Sequence, residues 1–295
     1  MRAGFYRRRG EKNPVQRFKC LDCKLRFSTA SNTLEYGQRR RDVNQALFES
    51  LSSLVSLRRT AELARVDRKT VARRLPFFEK LSQIVHEKFL DYLVKENRRS
   101  THIQFDDMET SEHTKLKPVA ISLVVTQKER FVLSLDVASM PAKGPLAALS
   151  RKKYGPRKDD RSAAWAGVLS RVSRMTVPGA IITTDMHTRY PELIRSNLPD
   201  LKHVTCKGRK ACVAGQGELK KGGRDPLFAV NHTAAMFRAN VNRLIRRTWC
   251  TTKRIDRLRC HLWIYIMRHN MKIDEKLRKK SCVKKKSTNI DASVA

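Results

Sequence analysis

Apolar residues cluster into short runs at four places in the middle of the chain. Each run is rich in Val, Ile, Leu or Phe and is bounded by polar residues or turn formers, and the four occupy residues 101–107, 118–127, 130–139 and 178–185. Runs of this length predict β-strands, and the short polar turn at Lys128 and Glu129 predicts a hairpin. In 161–174 the apolar residues recur at helical spacing instead. The order strand, hairpin, helix, strand predicts an α/β (α+β) fold, with helices packed on a mixed sheet.

Two of these predicted strands end in carboxylates. The first runs directly into Asp106 and Asp107, and the last ends at Asp185. Adjacent acids repel one another and are more stable beside a bound cation. Two solvated acids at a strand end are the alternative interpretation of the first pair. A second acid in a similar setting favours a functional site.

The charge of the chain indicates a polyanionic partner. Its 295 residues include 63 Lys and Arg but only 28 Asp and Glu, which gives a formal charge of +35. Nucleic acid is the usual partner of such a protein. No window approaches the roughly 18 apolar residues that a membrane span needs, and the first residues lack the apolar core of an export signal. We therefore expect no membrane association and a cytoplasmic location.

A Cys-x-x-Cys motif near the start of the chain is typical of one half of a zinc ribbon. Cys20 and Cys23 lie between Phe18 and Phe27, and two thiolates on a tight turn can take two corners of a zinc tetrahedron. A second pair of ligands is not evident in the sequence. Either the chain starts after its first knuckle, or the segment folds without metal, so binding of Zn²⁺ by Cys20 and Cys23 stays an open alternative.

Two short helical patterns follow, separated by a turn. Residues 57–66 are amphipathic, Asp67 is a plausible N-cap, and a second helix at 68–75 is expected to end near Pro76. This pattern is typical of a helix-turn-helix, and an ordinary helical hairpin with a solvated basic face is the alternative. In a helix-turn-helix the second helix enters the major groove. Its candidate DNA contacts are Arg68, Lys69, Arg73 and Arg74.

The last third of the chain predicts a basic amphipathic helix from about residue 233. Its basic residues, and those that follow it, are candidates for contacts with DNA phosphates: Arg238, Arg243, Arg246, Arg247 and Lys253. Trp249 belongs either to the core or to a surface on which a base stacks. Residues 258–270 predict a packing helix. The charged residues beyond it predict disorder.

With these motifs the chain resembles the DDE-type transposases of bacterial insertion sequences. The resemblance is to the group that joins a zinc knuckle and a helix-turn-helix to a ribonuclease-H-like catalytic domain, and it extends to about residue 270. In that family the first acid lies in an acidic pair on the first strand, which matches Asp106 with Asp107. The second acid precedes a Tyr-Pro, which matches Asp185 with Tyr190 and the following proline.

This chain departs from the family pattern at the third acid, which is usually Glu. It lies on a helix twelve residues before an Arg-Leu-x-Arg-x-Thr signature, and that signature begins here at Arg243, so the matching residue is Asn231. An amide oxygen can bind Mg²⁺, although it carries no charge. Glu218, in a glycine-rich stretch, is the alternative third residue, and Asp107 is a further alternative acid.

The resemblance implies a metal-dependent DNA transposase. Asp106, Asp185 and Asn231 would hold two Mg²⁺ or Mn²⁺ ions that support phosphodiester cleavage and strand transfer. The implied partner is double-stranded DNA, both transposon ends and target, bound by a homo-oligomer at the nucleoid. Two alternatives stay open. One is a catalytically inactive relative that acts as a DNA-binding regulator, and the other is a ribonuclease-H-like nuclease that cuts DNA without joining it.

The motifs divide the chain into five parts. We expect a partial zinc-ribbon-like segment at residues 1–34, a helix-turn-helix domain at 40–78, a linker helix at 79–98, a ribonuclease-H-like catalytic domain at 99–272 and a basic disordered tail at 273–295.

Overall fold

A five-stranded mixed sheet flanked by helices lies at the centre of the molecule. The computed structural model describes residues 1–8, 13–207, 223–245 and 249–280, and only the backbone of 219–220 and 281–291. The strands in these ranges are β1 Arg2–Tyr6, β2 Val15–Lys19, β3 Arg26–Ser28, β4 Ser100–Ser111, β5 Pro118–Thr126, β6 Val132–Ser139, β7 Thr176–Thr184, β8 Lys202–Thr205, β9 Leu219–Lys220 and β10 Gly223–Arg224.

The central sheet has the strand order β6-β5-β4-β7-β8. Strands β4, β5 and β6 form an antiparallel meander, whereas β7 and β8 run parallel to β4. The four strands predicted from the apolar runs are confirmed as β4 to β7, and the hairpin is confirmed between β5 and β6. The fifth strand, β8, is short and largely exposed at the sheet edge, so its sequence carries no apolar pattern.

The prediction that the first strand ends at the two acids is wrong. Strand β4 continues to Ser111, because Asp106 and Asp107 lie opposite Leu123 and Ser122 in the antiparallel ladder with β5. The two acids therefore occupy the middle of a central strand. Since side chains alternate between the faces of a sheet, the two carboxylates must point to opposite faces.

Eight α-helices surround the sheets in the described part of the chain: α1 Asn44–Leu51, α2 Leu57–Leu63, α3 Arg68–Lys95, α4 Leu146–Tyr154, α5 Arg161–Ser170, α6 Tyr190–Asn197, α7 Phe228–Asn240 and α8 Ile255–Asp291. Short 3-10 turns follow α5 and α7. One face of the central sheet packs against α7 and α8, with Met108 and Ile121 in that core. The other face packs against α3, α5 and α6, with Ile103, Phe105 and Trp165.

Helices α1, α2 and α3 form a small bundle of their own. Its core contains Leu47, Val71 and Leu75 and is completed by Ile264 of α8. The predicted N-cap is confirmed, because the Asp67 carboxylate accepts a hydrogen bond from the backbone N–H of Lys69 at 2.6 Å. The expected pair of helices is present, joined by a tight turn.

The second helix of this pair does not end near Pro76. Helix α3 runs uninterrupted through Pro76 to Lys95, so the expected recognition helix and the expected linker helix are one element. A proline inside a helix lacks the N–H that would bond the carbonyl four residues earlier. That carbonyl, of Ala72, instead accepts a hydrogen bond from the Arg257 guanidinium of α8 at 3.5 Å.

The expected disordered tail is also wrong, since α8 continues as helix to Asp291. Ile273 and Leu277 extend the apolar stripe of α8 onto the core beneath α3. The buried carboxylate of Asp274 accepts hydrogen bonds from Arg98 at 3.1 Å and Arg278 at 2.7 Å. Packing and ion pairs therefore hold residues 273–278 of this stretch in the helix, where composition alone predicts disorder. None of the helices in the described ranges is long and apolar enough to cross a bilayer.

Candidate active site

Asp106 lies within β4, and Asp185 directly follows the end of β7, the strand that pairs with β4 in parallel. Gln104 of β4 lies opposite Thr183 of β7, so each acid lies two residues beyond this pair. The His102 ring bonds the Thr183 hydroxyl at 2.7 Å across the same face. By alternation, the Asp106 carboxylate belongs to the face that α7 covers.

Asp185 begins the tight turn that leads from β7 into α6. Its Oδ1 accepts a hydrogen bond from the backbone N–H of His187 at 3.1 Å. The His187 ring stacks on Tyr190, with centroids 4.7 Å apart, and meets the edge of Trp165 at 5.4 Å. The predicted helix after Asp185 is confirmed as α6. These ring contacts fix the turn, and with it the backbone that carries the carboxylate.

Asp107 points away from this site, toward the opposite face of the sheet. Trp165 of α5 donates its indole N–H to both carboxylate oxygens at 2.9 Å, and the Ser122 hydroxyl donates to Oδ1 at 2.7 Å. Burial raises the pKa of Asp107, while these two hydrogen bonds act in the opposite direction. The hydrogen bonds of Asp107 connect α5 to the central sheet, and they give Asp107 a structural role on the face opposite Asp106.

Tyr190 lies close enough to sense all three acids. Its ring is 2 % exposed and packs 4.9 Å from Phe105. Burial raises the pKa of the Tyr190 hydroxyl, and the negative charges of Asp107, Asp106 and Asp185 raise it further. The buried Tyr190 hydroxyl therefore lies within electrostatic range of all three acids.

Asn231 lies in the first turn of α7, which Gln104 fastens to β4. The Gln104 amide accepts from the backbone N–H of Val230 at 3.0 Å and donates to the Pro226 carbonyl at 2.9 Å. The helix that carries Asn231 therefore packs on the face of β4 to which Asp106 belongs, beginning two residues along β4 from Asp106.

Asp225 is the residue that sequence reasoning missed. It is 5 % exposed, and its Oδ2 accepts a hydrogen bond from the Asn231 side-chain amide at 2.9 Å. An ionised carboxylate only accepts hydrogen bonds, so the amide must turn its nitrogen toward Asp225 and its oxygen away. Oδ1 also accepts from the Leu227 backbone at 3.2 Å. The only sequence signal is an Asp-Pro before a helix, which usually marks a simple turn.

A basic cluster borders the site beside α5. Arg161 donates two hydrogen bonds to Asp159, at 2.8 and 2.7 Å, and these bonds lower the pKa of Asp159 to about 2. Arg161 is buried, since it forms this ion pair and lies over the Trp165 ring. Arg189 stays exposed, with its guanidinium 4.6 Å from the same ring.

The candidate DNA contacts of the helix-turn-helix divide into two groups. Arg68, Lys69 and Arg73 are exposed on the first turns of α3. Arg74 turns inward, where it donates to the Asn44 side chain at 3.1 Å and to the Arg40 carbonyl at 2.9 Å. Burial lowers the pKa of Arg74. Its observed role is to fasten α3 to the segment before α1.

The basic residues after Asn231 are also divided. Arg243 donates to the carbonyls of Cys250 and Thr251, both at 3.3 Å, and burial lowers its pKa. Lys253 is exposed and bonds the His113 ring at 2.8 Å, while Arg238 is half-buried on α7. Two further candidates, Arg246 and Arg247, lie outside the described residues, as does the alternative third residue Glu218.

The cysteine motif forms a turn between two strands of a small antiparallel sheet. Cys20 directly follows β2, and backbone N–H groups of Cys23 and Asp22 lower the pKa of its thiol. Two thiols alone do not complete a structural zinc site. No group of three or more His, Cys, Asp and Glu able to hold a metal occurs within the ranges that the structure describes, so the donors found there do not fit structural zinc.

Comparison with known proteins assigns no family. The chain matches no protein-family model, and no curated protein is significantly similar to it.

Proposed function

We propose that the chain is a DDE-type DNA transposase whose central domain has a ribonuclease-H-like fold. The observation that carries the proposal is the parallel pairing of β4, which contains Asp106, with β7, which ends directly before Asp185, together with the packing of α7 on β4. In the fold that the resemblance implies, the first and fourth strands are neighbours. A five-stranded mixed sheet flanked by helices, with β4 beside β7, is consistent with that arrangement.

The donor set fits a hard divalent cation. Asp106 and Asp185 supply carboxylates, and the Asn231 amide, with its nitrogen held by Asp225, can supply an oxygen. Mg²⁺ and Mn²⁺ prefer oxygen ligands of these kinds. When bound, such ions activate a water or a 3′-hydroxyl and stabilise the leaving oxygen of a phosphodiester. The turn at His187 and the Asp225–Asn231 hydrogen bond would hold the donors in place.

The remaining surface supports double-stranded DNA as the substrate. Arg68, Lys69 and Arg73 form an exposed basic patch at the start of α3, the element that corresponds to a recognition helix. Strand transfer needs two DNA ends in one complex, so an oligomer assembled on DNA belongs to the proposal. The exposed patch supplies binding and the Asp106 region supplies chemistry.

The test is cleavage and joining of a labelled duplex that carries the DNA ends flanking the gene, with Mg²⁺ or Mn²⁺. Asp106→Asn and Asp185→Asn should each abolish both reactions, because each removes a charged metal ligand without changing side-chain volume. Asp200→Asn, at an exposed loop acid, is the matched control and should keep full activity. Metal-dependent cleavage that persists in both site variants would refute the proposal.

A second candidate function is supported by the neutral residue at position 231. A transposase relative without catalysis would act as a DNA-binding regulator through α3, and Asn231 supplies less negative charge than the usual Glu. The same assay separates the two functions. DNA binding that is lost in an Arg68→Gln/Arg73→Gln variant, with no cleavage by the unmodified protein, would favour the regulator.

A further inference from the structure

Two cavities lie side by side along the sheet end that leads away from Asp106. The first, about 1010 Å³, extends from Gln104 to the segment before β4 and the start of α7. The second, about 810 Å³, lies between α7 and α8. Both are lined by Lys128, Glu129 and Arg130 of the β5–β6 turn. We name the two cavities together the basic groove.

The walls of the basic groove carry a strong excess of positive charge. Nine Lys and Arg side chains line it in the described part of the chain, against two carboxylates, Glu129 and Asp225. Asp225 is already bonded to Asn231 and to the Leu227 backbone. A channel with this balance attracts an anion that extends along its length rather than a small neutral molecule.

Helix α8 supplies a row of lysines to this groove. Lys272, Lys276 and Lys280 follow one another at intervals of four residues, which puts them on one side of the helix about 6 Å apart. None of the three has an ion pair within the described ranges, whereas Lys279, on another side of α8, pairs with Glu275 at 2.7 Å. Cations repeated at this spacing and left without acids suit a repeating anion such as a phosphate backbone.

Arg268 continues the row one turn earlier and gives independent evidence for a ligand. Its Nε is buried, yet it has no hydrogen-bond partner among the described residues. Buried polar groups are nearly always paired, so an orphaned donor on a groove wall indicates an acceptor that the protein itself does not provide. A phosphate oxygen is an acceptor of the right charge.

We propose that the basic groove holds the DNA strand that enters or leaves the candidate active site. The assignment rests on the proposed function for the choice of DNA. The groove begins at Gln104, two residues from Asp106 on the same face of β4, so a strand whose phosphate lies at the acids would continue past the β5–β6 turn to α8. Lys272, Lys276 and Lys280 contact its backbone without reading its sequence.

The test is the salt dependence of DNA binding by the full chain, measured by fluorescence anisotropy without divalent metal. The variant is Lys272→Gln/Lys276→Gln/Lys280→Gln. The matched control, Lys88→Gln/Lys115→Gln/Lys152→Gln, removes the same charge from exposed lysines outside the groove. Each lost phosphate contact lowers the slope of log K against log salt by about 0.9, so the groove variant should lose about 2 to 3 in slope and on the order of 10²-fold in affinity at 0.1 M salt.

Equal slopes for the groove variant and the control would overturn the assignment. Arg99→Gln/Lys128→Gln, at two exposed cations of the first cavity, should also lower the slope, by about 2. Tighter binding of an RNA duplex, with the same loss in the groove variant, would overturn the choice of DNA. Binding is measured without metal, so failure of cleavage by the Asp106 site leaves this result unaffected, and the two proposals fail separately.

Discussion

Replacing Asp107 distinguishes a structural carboxylate from a metal ligand. Asp107→Ala removes the acceptor of the Trp165 indole and the Ser122 hydroxyl, whose residues are 1 % and 0 % exposed. A buried donor left unpaired costs about 1 to 3 kcal/mol. Two such donors give about 2 to 6 kcal/mol. The substitution also removes a buried carboxylate whose pKa is raised by burial, and the desolvation cost of that group no longer has to be met. We therefore expect the free energy of unfolding to fall by about 2 to 3 kcal/mol in total.

Urea denaturation at pH 7, followed by tryptophan fluorescence, measures this loss directly. Asp107→Asn should destabilise the protein less than the alanine variant, since its oxygen can still accept one of the two hydrogen bonds. Glu109→Ala is the control on the same strand and face. Its carboxylate is exposed and pairs with Lys143 at the surface, so we expect a change within about 0.5 kcal/mol.

Cleavage measurements on the same variants complete the test. Folded Asp107→Asn should retain metal-dependent cleavage, whereas Asp106→Asn should lose it. If Asp107→Ala instead has the unfolding free energy of the unmodified protein and lacks cleavage, the carboxylate acts in the site, and the assignment of Asp107 to the far face of the sheet is refuted.

Two further predictions concern acid stability and Trp249. Burial lowers the pKa of His261 to about 3. The unfolded state therefore binds a proton at this histidine more readily than the folded state does. The contribution of neutral His261 to the free energy of unfolding is fully present above about pH 6.5 and is lost as the pH falls toward 3. Urea unfolding should therefore show about 2 kcal/mol less stability at pH 5 than at pH 7. The His261→Leu variant should not show this pH-dependent loss. The same pH dependence in the variant as in the unmodified protein would contradict the lowered pKa of His261. Trp249 is 99 % exposed, so Trp249→Ala should leave stability within about 0.5 kcal/mol but weaken DNA binding about fivefold or more, and Trp249→Phe should retain binding; equal affinity of all three proteins in anisotropy titrations would exclude stacking.

The apolar runs predict the central sheet well because its strands are buried between two layers of helices. Strand β5 is buried at nearly every position, so its sequence is almost continuously apolar. Strand β8 is short and mostly exposed, and no local pattern reveals it. The exposure of Trp249 corrects the alternative that assigned this residue to the core.

The errors in the helices have a common physical cause. Pro76 and the charged stretch after residue 272 both contradict helix locally, and contacts distant in sequence supply what is missing. Arg257 bonds the carbonyl that Pro76 leaves unpaired, and Arg98 bonds the buried Asp274. Tertiary contacts of this kind override propensity and composition, and a single sequence does not reveal them.

Asp225 shows most clearly why a single sequence does not reveal the site, because the role of this residue depends on a partner six residues away in sequence. The family pattern has a third acid at the position where this chain has the neutral Asn231. The structure has a buried carboxylate directly behind that amide. Its hydrogen bond orients the amide, so that the amide oxygen faces away from Asp225 and can act as a ligand. Mg²⁺ accepts an amide oxygen, which is why a neutral residue at position 231 remains compatible with metal-dependent chemistry.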